Sequence, residues 1–142
     1  MKLIFLDIDG VLITKHSKTS WIPHPPCVYA LQKILDNTGA SIVVSSSWRH
    51  IHGIDLQRTL SQFGLINFKY LGITPDLKGD NPRGYEIIEW FNSMSINHND
   101  TKFVIIDDDD DMGKLIPFLV RTNWDDGLSF DMADRAIRML RD

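Results

Sequence analysis

Asp7-Ile8-Asp9-Gly10 puts two carboxylates and a glycine at the end of the short apolar run Leu3-Ile4-Phe5-Leu6. Aspartates two residues apart share a face in extended geometry, and a tight turn at Gly10 lets both reach one point beyond a strand end. Two anions so close repel unless one keeps a proton or a cation sits between them. A carboxylate cluster with few nitrogen or sulfur neighbours favours a hard ion such as magnesium. The same abrupt transition occurs twice more. Ile42-Val43-Val44 stops on Ser45-Ser46-Ser47-Trp48-Arg49, and Lys102 to Ile106 runs into Asp107-Asp108-Asp109-Asp110-Asp111.

The elements that must position these groups follow from hydrophobic periodicity. Lys2 to Leu6 has the uninterrupted apolar pattern of a strand buried on both faces, as in a parallel sheet. Ile13 to Pro26, with its prolines and histidines, is expected to be a loop. Val28, Leu31, Ile34 and Leu35 recur at helical spacing, and Asn37-Thr38-Gly39 stops that helix. Ile42 to Val44 makes a second strand. Leu56, Leu60 and Phe63 stripe a second helix that Gly64 closes, and Phe68 to Ile73 makes a third strand. Asn81-Pro82 has the form of an N-cap with proline at the first helical position, followed by a stripe of Ile87, Ile88, Phe91 and Met94. Lys102 to Ile106 is the fourth strand and Pro117 to Arg121 a fifth. Asp126-Gly127 makes a turn, and Ser129 caps a last helix whose apolar face is Phe130, Ala133, Ile137 and Leu140. Strands alternating with helices imply right-handed crossovers and a parallel sheet with helices on both faces. In such sheets ligands sit beyond the carboxyl ends of the strands, where Asp7, Asp9, Ser45, Asp107 and Asp108 all fall.

Asp7-x-Asp9-Gly10, the strand-terminal Ser45, a basic residue before the next site strand and Asp107-Asp108 resemble the four motifs of the haloacid dehalogenase (HAD) superfamily. They stand in its order and span positions 3 to about 111. Ser46-Ser47-Trp48-Arg49, the Arg-Gly-x-Glu-Ile-x-x-Trp beginning at Arg83, and Gly127-Leu128 are similar to the small domains of that superfamily associated with multidomain RNA repair proteins. The resemblance implies a three-layer Rossmann-like α/β fold, one HAD-like hydrolase domain over residues 1–142, and magnesium-dependent phosphatase activity through an aspartyl-phosphate. It assigns the nucleophile to Asp7 and the general acid, then base, to Asp9. It gives the metal to Asp7, the backbone carbonyl of Ile8 or Asp9, and the Asp107/Asp108 pair. Ser45 and the backbone N–H of Ser46 would bind phosphate oxygens, joined by Arg83 or, in competition, Lys78. Asp111 would anchor the site from outside.

Other readings of the same residues fit less well. An EF-hand loop needs glycine at its sixth position, but counting from Asp107 or Asp7 gives Met112 or Leu12. His50-x-His52 has neither a Cys-x-x-Cys nor a His-Glu-x-x-His beside it, which argues against zinc. A receiver domain also uses acidic strand ends, but its phosphoacceptor follows a later strand. Two alternatives keep the same motifs: a nucleotide or small-metabolite phosphatase or phosphotransferase, and a noncatalytic phosphate or RNA-end binding module. Trp48 and Arg49 could stack a base and clamp a phosphate beside the nucleophile, or Trp48 could be a buried anchor under the loop.

A chain of 142 residues, 43% hydrophobic, suits one domain that buries roughly two thirds of its unfolded surface. The net charge of −4 offers no general basic footprint for nucleic acid or anionic lipid, so phosphate binding must be local. The single cysteine, Cys27, cannot form an internal disulfide, and no apolar stretch approaches the roughly 18 residues of a membrane helix. A cytoplasmic setting without membrane partners follows. Superfamily members acting on small metabolites commonly carry a cap domain, and neither gap between the motifs here is large. A site without a lid gains binding energy from a substrate extending beyond the phosphate. The expectation is therefore a large substrate, a phosphorylated nucleic-acid end, contacted by Lys15, Lys18, Trp48 and Arg49.

Overall fold

The computed structural model describes all 142 residues. Five strands, β1 (Lys2–Leu6), β2 (Ser41–Val44), β3 (Lys69–Ile73), β4 (Lys102–Asp107) and β5 (Leu119–Arg121), form one parallel sheet in the order β3-β2-β1-β4-β5. Three α-helices connect the first four strands, α1 (Pro25–Thr38), α2 (Leu56–Gln62) and α3 (Arg83–Ser93), and a fourth, α4 (Phe130–Leu140), follows β5. Short 3-10 turns occupy Ser47–His50, His98–Asp100 and Gly113–Phe118. This is the three-layer α/β architecture expected from the alternating elements, and no cap domain covers it.

Alternation along β1 explains the layers. Ile4 and Leu6 face the larger core with α1, α2 and α4, whereas Leu3 and Phe5 face a second core with Ile87, Trp90 and Phe91 of α3. Phe5 sits in an aromatic cluster there, with ring centroids 5.3 to 5.8 Å from Phe91, Trp90 and Phe103. Such a two-sided core requires strands apolar on both faces, which is why β1, β2 and β4 lack polar alternation.

Several local expectations change. Asn81 does not cap α3; its side-chain amide donates to the Leu77 and Lys78 carbonyls at 3.1 and 2.9 Å and shapes the preceding loop. Pro82 stands just outside the helix, and the cap comes from a distant residue, because Asp111 Oδ2 accepts the Arg83 backbone N–H at 3.0 Å. Met94 ends α3 exposed, while Trp90 fills the buried stripe. Pro117 lies in a 3-10 turn rather than in β5, as expected of a residue without an N–H for the ladder. Phe130 is exposed at the start of α4, and Ala136 completes that helix's buried face. The stretch after Gly10 begins with a buried knot, since the amides of Val11, Leu12 and Ile13 all donate to the Ile8 carbonyl, and irregular chain follows to His24.

Candidate active site

Strand order and register bring the acidic junctions together. The order reverses between β1 and β4, the switch point at which crevices open in doubly wound sheets. In-register pairing of Leu6 with Ile106 on one side and Val44 on the other sets Asp7 level with Asp107 and Ser45. The Asp7 N–H donates to the Ile106 carbonyl at 3.0 Å, and the Ser45 N–H donates to the Leu6 carbonyl at 2.8 Å. The ends of β2, β1 and β4 thus present a hydroxyl, a carboxylate and a carboxylate in one row.

Asp7, Asp107 and Asp108 offer oxygen atoms within 4.8 Å of one another. Asp7 and Asp107 are buried, and Asp108 is half-buried. Arg83 Nη1 bridges the first two, 2.7 Å from Asp107 Oδ2 and 3.2 Å from Asp7 Oδ2. The other oxygens bond to backbone, Asp7 Oδ1 to Ile8 N–H at 2.8 Å and Asp107 Oδ1 to Asp109 N–H at 3.0 Å. Gly10 has φ +78°, and a β-carbon there would strike the Asp108 carboxylate, so glycine is what allows the Asp9-Gly10 turn to approach β4. Gly84 serves α3 likewise, as a side chain there would collide with the Met112 carbonyl and push Arg83 away.

Burial, followed by the neighbouring Asp107 charge, raises the Asp7 carboxyl to about 8. Burial also raises Asp107, to about 6, against the opposing pull of Arg83. Burial alone would lower Arg83, yet Asp107 and Asp7 outweigh it and its pKa rises, leaving a permanent cation. One guanidinium is too little charge for this many carboxylates, least of all with a phosphate added. The donor set is all carboxylate oxygen, with no His or Cys within it, and fits a hard divalent cation.

The remaining residues fall into place around this cluster. Ser45 is fully buried, and its Oγ has no hydrogen-bond partner, which leaves a hydroxyl free at the row of strand ends. Ser46 is also buried, but its Oγ accepts the Trp48 N–H at 3.2 Å and caps the turn. Asp9 is half-buried and stands apart from the acidic triad, with Oδ2 accepting from the Trp48 indole N–H at 3.1 Å. Asp111 pins Arg83 and Gly84 through its Oδ2 and backbone carbonyl. Lys78 is exposed in the loop before α3, so of the two basic residues it is Arg83 that meets Asp7.

Trp48 and Arg49 are not placed as open substrate contacts. Trp48 is only 5% exposed, wedged edge-on between Trp21 and Phe63 at centroid distances of 5.1 and 5.7 Å. Arg49 Nη2 contacts both Glu86 oxygens at 2.8 Å, and Nη1 reaches Thr74 Oγ1 at 3.3 Å. A buried guanidinium so engaged is not available to clamp a phosphate. Thr74 and Trp21 escaped the sequence reading, and Glu86 entered it only as a member of the motif beginning at Arg83, with no role assigned. Lys15 and Lys18 are exposed on the 14–24 segment, and Lys15 pairs with Asp125 at 3.4 Å. His50 lies 3.7 Å from Asp76, away from the acidic triad.

A parallel α/β sheet whose strand ends gather Asp-x-Asp-Gly, a free serine, a bridging arginine and an Asp-Asp pair defines a HAD-type domain. The profile of the HAD domain in Swiss Army Knife RNA repair proteins matches residues 3–133, nearly the whole chain. The chain belongs to that family. No curated protein matches it. No helix is long and apolar enough to cross a membrane.

Proposed function

We propose that this domain is a magnesium-dependent phosphomonoesterase that works through an aspartyl-phosphate and acts on the phosphorylated end of a nucleic acid. The observation carrying this reading is the row of Asp7, Ser45 and Asp107 at the switch point, with Arg83 bridging the two carboxylates. Asp7, Asp107 and Asp108, with a backbone carbonyl of Ile8 or Asp9, would hold the ion. Bound magnesium supplies the charge neutralisation that lets an anionic nucleophile meet an anionic phosphoryl group.

The protein's own groups account for the rest. An Asp7 oxygen attacks phosphorus while the bond to the leaving oxygen breaks, and Asp9 gives that oxygen its proton. Asp9 then takes a proton from water, whose oxygen attacks the phosphoryl group, releasing inorganic phosphate and restoring Asp7. Ser45 Oγ, the Ser46 N–H and Arg83 bind the non-bridging oxygens. The open, capless site supports a substrate extending beyond the phosphate, and the family's link to RNA repair supports a nucleic-acid end. A cytoplasmic, reducing setting suits the unpaired, buried Cys27. The deciding experiment compares phosphate release from a phosphorylated oligonucleotide, the matching mononucleotide and a sugar phosphate, with magnesium and with chelator. Efficient, chelator-sensitive release that favours the oligonucleotide is expected. Binding of the oligonucleotide without phosphate release in magnesium would replace hydrolysis by a binding role.

A further inference from the structure

Beside Asp9 lies an open cleft of about 220 Å³ lined by Asp9, Ser20, Trp21, Ser47, Trp48 and Ile51. Resting on the phosphatase reading, we propose that this cleft is the leaving-group subsite. It holds the nucleobase of the phosphorylated terminal nucleotide by stacking on Trp21.

The position of Asp9 sets which half of the substrate enters. A general acid must stand next to the oxygen it protonates, so a group bound against Asp9 is attached to the leaving oxygen. Trp21 then supplies the platform. It is 59% exposed, although its ring packs edge-on against the buried Trp48 at 5.1 Å and 62°. Trp48 is itself fixed, by Phe63 behind it and by its N–H bond to Asp9. An aromatic ring held in place from one side and open on the other suits a flat ligand, since every base offers a π-face. The two serines add hydroxyls that can donate or accept, so they suit any base edge and impose little sequence preference.

The cleft also reconciles nucleic-acid binding with the chain's acidity. No lysine or arginine lines it. Affinity for the terminal nucleotide would come from stacking rather than from additional phosphate contacts, and its salt dependence would be shallow.

The test uses two oligonucleotides that carry the same terminal phosphate, one with a normal terminal nucleotide and one abasic there. The ratio of their kcat/KM values is measured for the wild type, Trp21→Ala and Trp21→Phe. The wild type should favour the base-bearing end by roughly 5- to 100-fold, the range for stacking one base. Trp21→Ala should bring the ratio near one, mainly through KM, and Trp21→Phe should keep most of it. A wild-type ratio near one, or a ratio that survives Trp21→Ala, overturns the subsite. If neither oligonucleotide is hydrolysed, calorimetric binding of a nucleoside monophosphate and of ribose phosphate, with magnesium, separates the two ideas. Tighter nucleotide binding that depends on Trp21 keeps the subsite without the hydrolase, and equal binding removes it.

Discussion

The indole N–H of Trp48 donates to Oδ2 of Asp9 at 3.1 Å, across 39 positions of sequence. It is the one side chain that bonds the Asp9 carboxyl, and Oδ1 is left without a protein partner. Trp48 therefore holds one Asp9 oxygen toward the protein, and in the proposed mechanism the other is the one that serves the leaving group. Trp48→Phe keeps the ring and removes the N–H. The expected result is a kcat loss of about tenfold on alkyl phosphates, the scale of one hydrogen bond to a charged group. The loss should shrink on aryl phosphates, whose leaving oxygens need little protonation. Equal losses on both would mean that Trp48 serves only the packing.

Under the proposed mechanism, in which Asp7 is the nucleophile and Asp9 the acid and base, the two carboxylates at the first junction should fail in different ways. Asp7→Asn removes the nucleophile from a strand end that otherwise keeps its shape, so turnover should vanish with the fold intact. Asp9→Asn should accumulate phosphoenzyme from a good leaving group, because the base for the second step is missing. Acid-quench trapping with labelled phosphate reads both, and phosphate release by Asp7→Asn would exclude the covalent route.

Stability without metal should fall as pH rises. Asp7 and Asp107 titrate near 8 and 6 in the folded chain, against an ordinary carboxylate value near 4 when unfolded. Between those values the native state holds protons that the unfolded chain has released, so each unit of alkalinity favours unfolding. The proposed magnesium would bind the deprotonated pair and should raise Tm more at pH 8 than at pH 6. Calorimetric melts over pH 5 to 8.5 check this, with Asp7→Asn expected to flatten the metal-free trend. A metal-free Tm that climbs over this range would contradict it.

Arg49 and Glu86 form a buried pair that ties the turn after Ser46 to α3, the helix that carries Arg83. Glu86 Oε2 also accepts the Leu77 N–H at 3.1 Å, and Arg49 Nε is buried without a partner. Glu86→Gln strands the guanidinium charge and should cost about 3–5 kcal/mol, roughly 10–17 °C in Tm. Arg49→Met combined with Glu86→Leu should recover most of that loss, since the pair's cost is largely desolvation. Denaturant melts of the single and double variants measure the difference, and a double variant no more stable than Glu86→Gln would mean that the ion pair itself provides the stability.

The architecture and the acidic strand ends were determined by the sequence alone, because local rules govern them. Strand segments apolar on both faces have to be covered on both sides, and helical stripes between them supply the cover. A polar residue ending such a strand must then lie at the carboxyl end of the sheet, which made Asp7, Asp107 and Ser45 legible before any contact was known. Which strands are neighbours and which charges meet was decided by tertiary structure. Only the order β3-β2-β1-β4-β5 sets Asp7 between Ser45 and Asp107, and only the approach of α3, seated through Gly84 and Asp111, chooses Arg83 over Lys78. Arg49 had the composition of a phosphate clamp until Glu86, 37 positions on, took its guanidinium. Trp48 could have been a stacking platform or a buried anchor, and packing made it the anchor and left Trp21 at the surface. Periodicity and capping act over a few residues, whereas the partner of a buried charge or ring is whatever the closed core brings within reach.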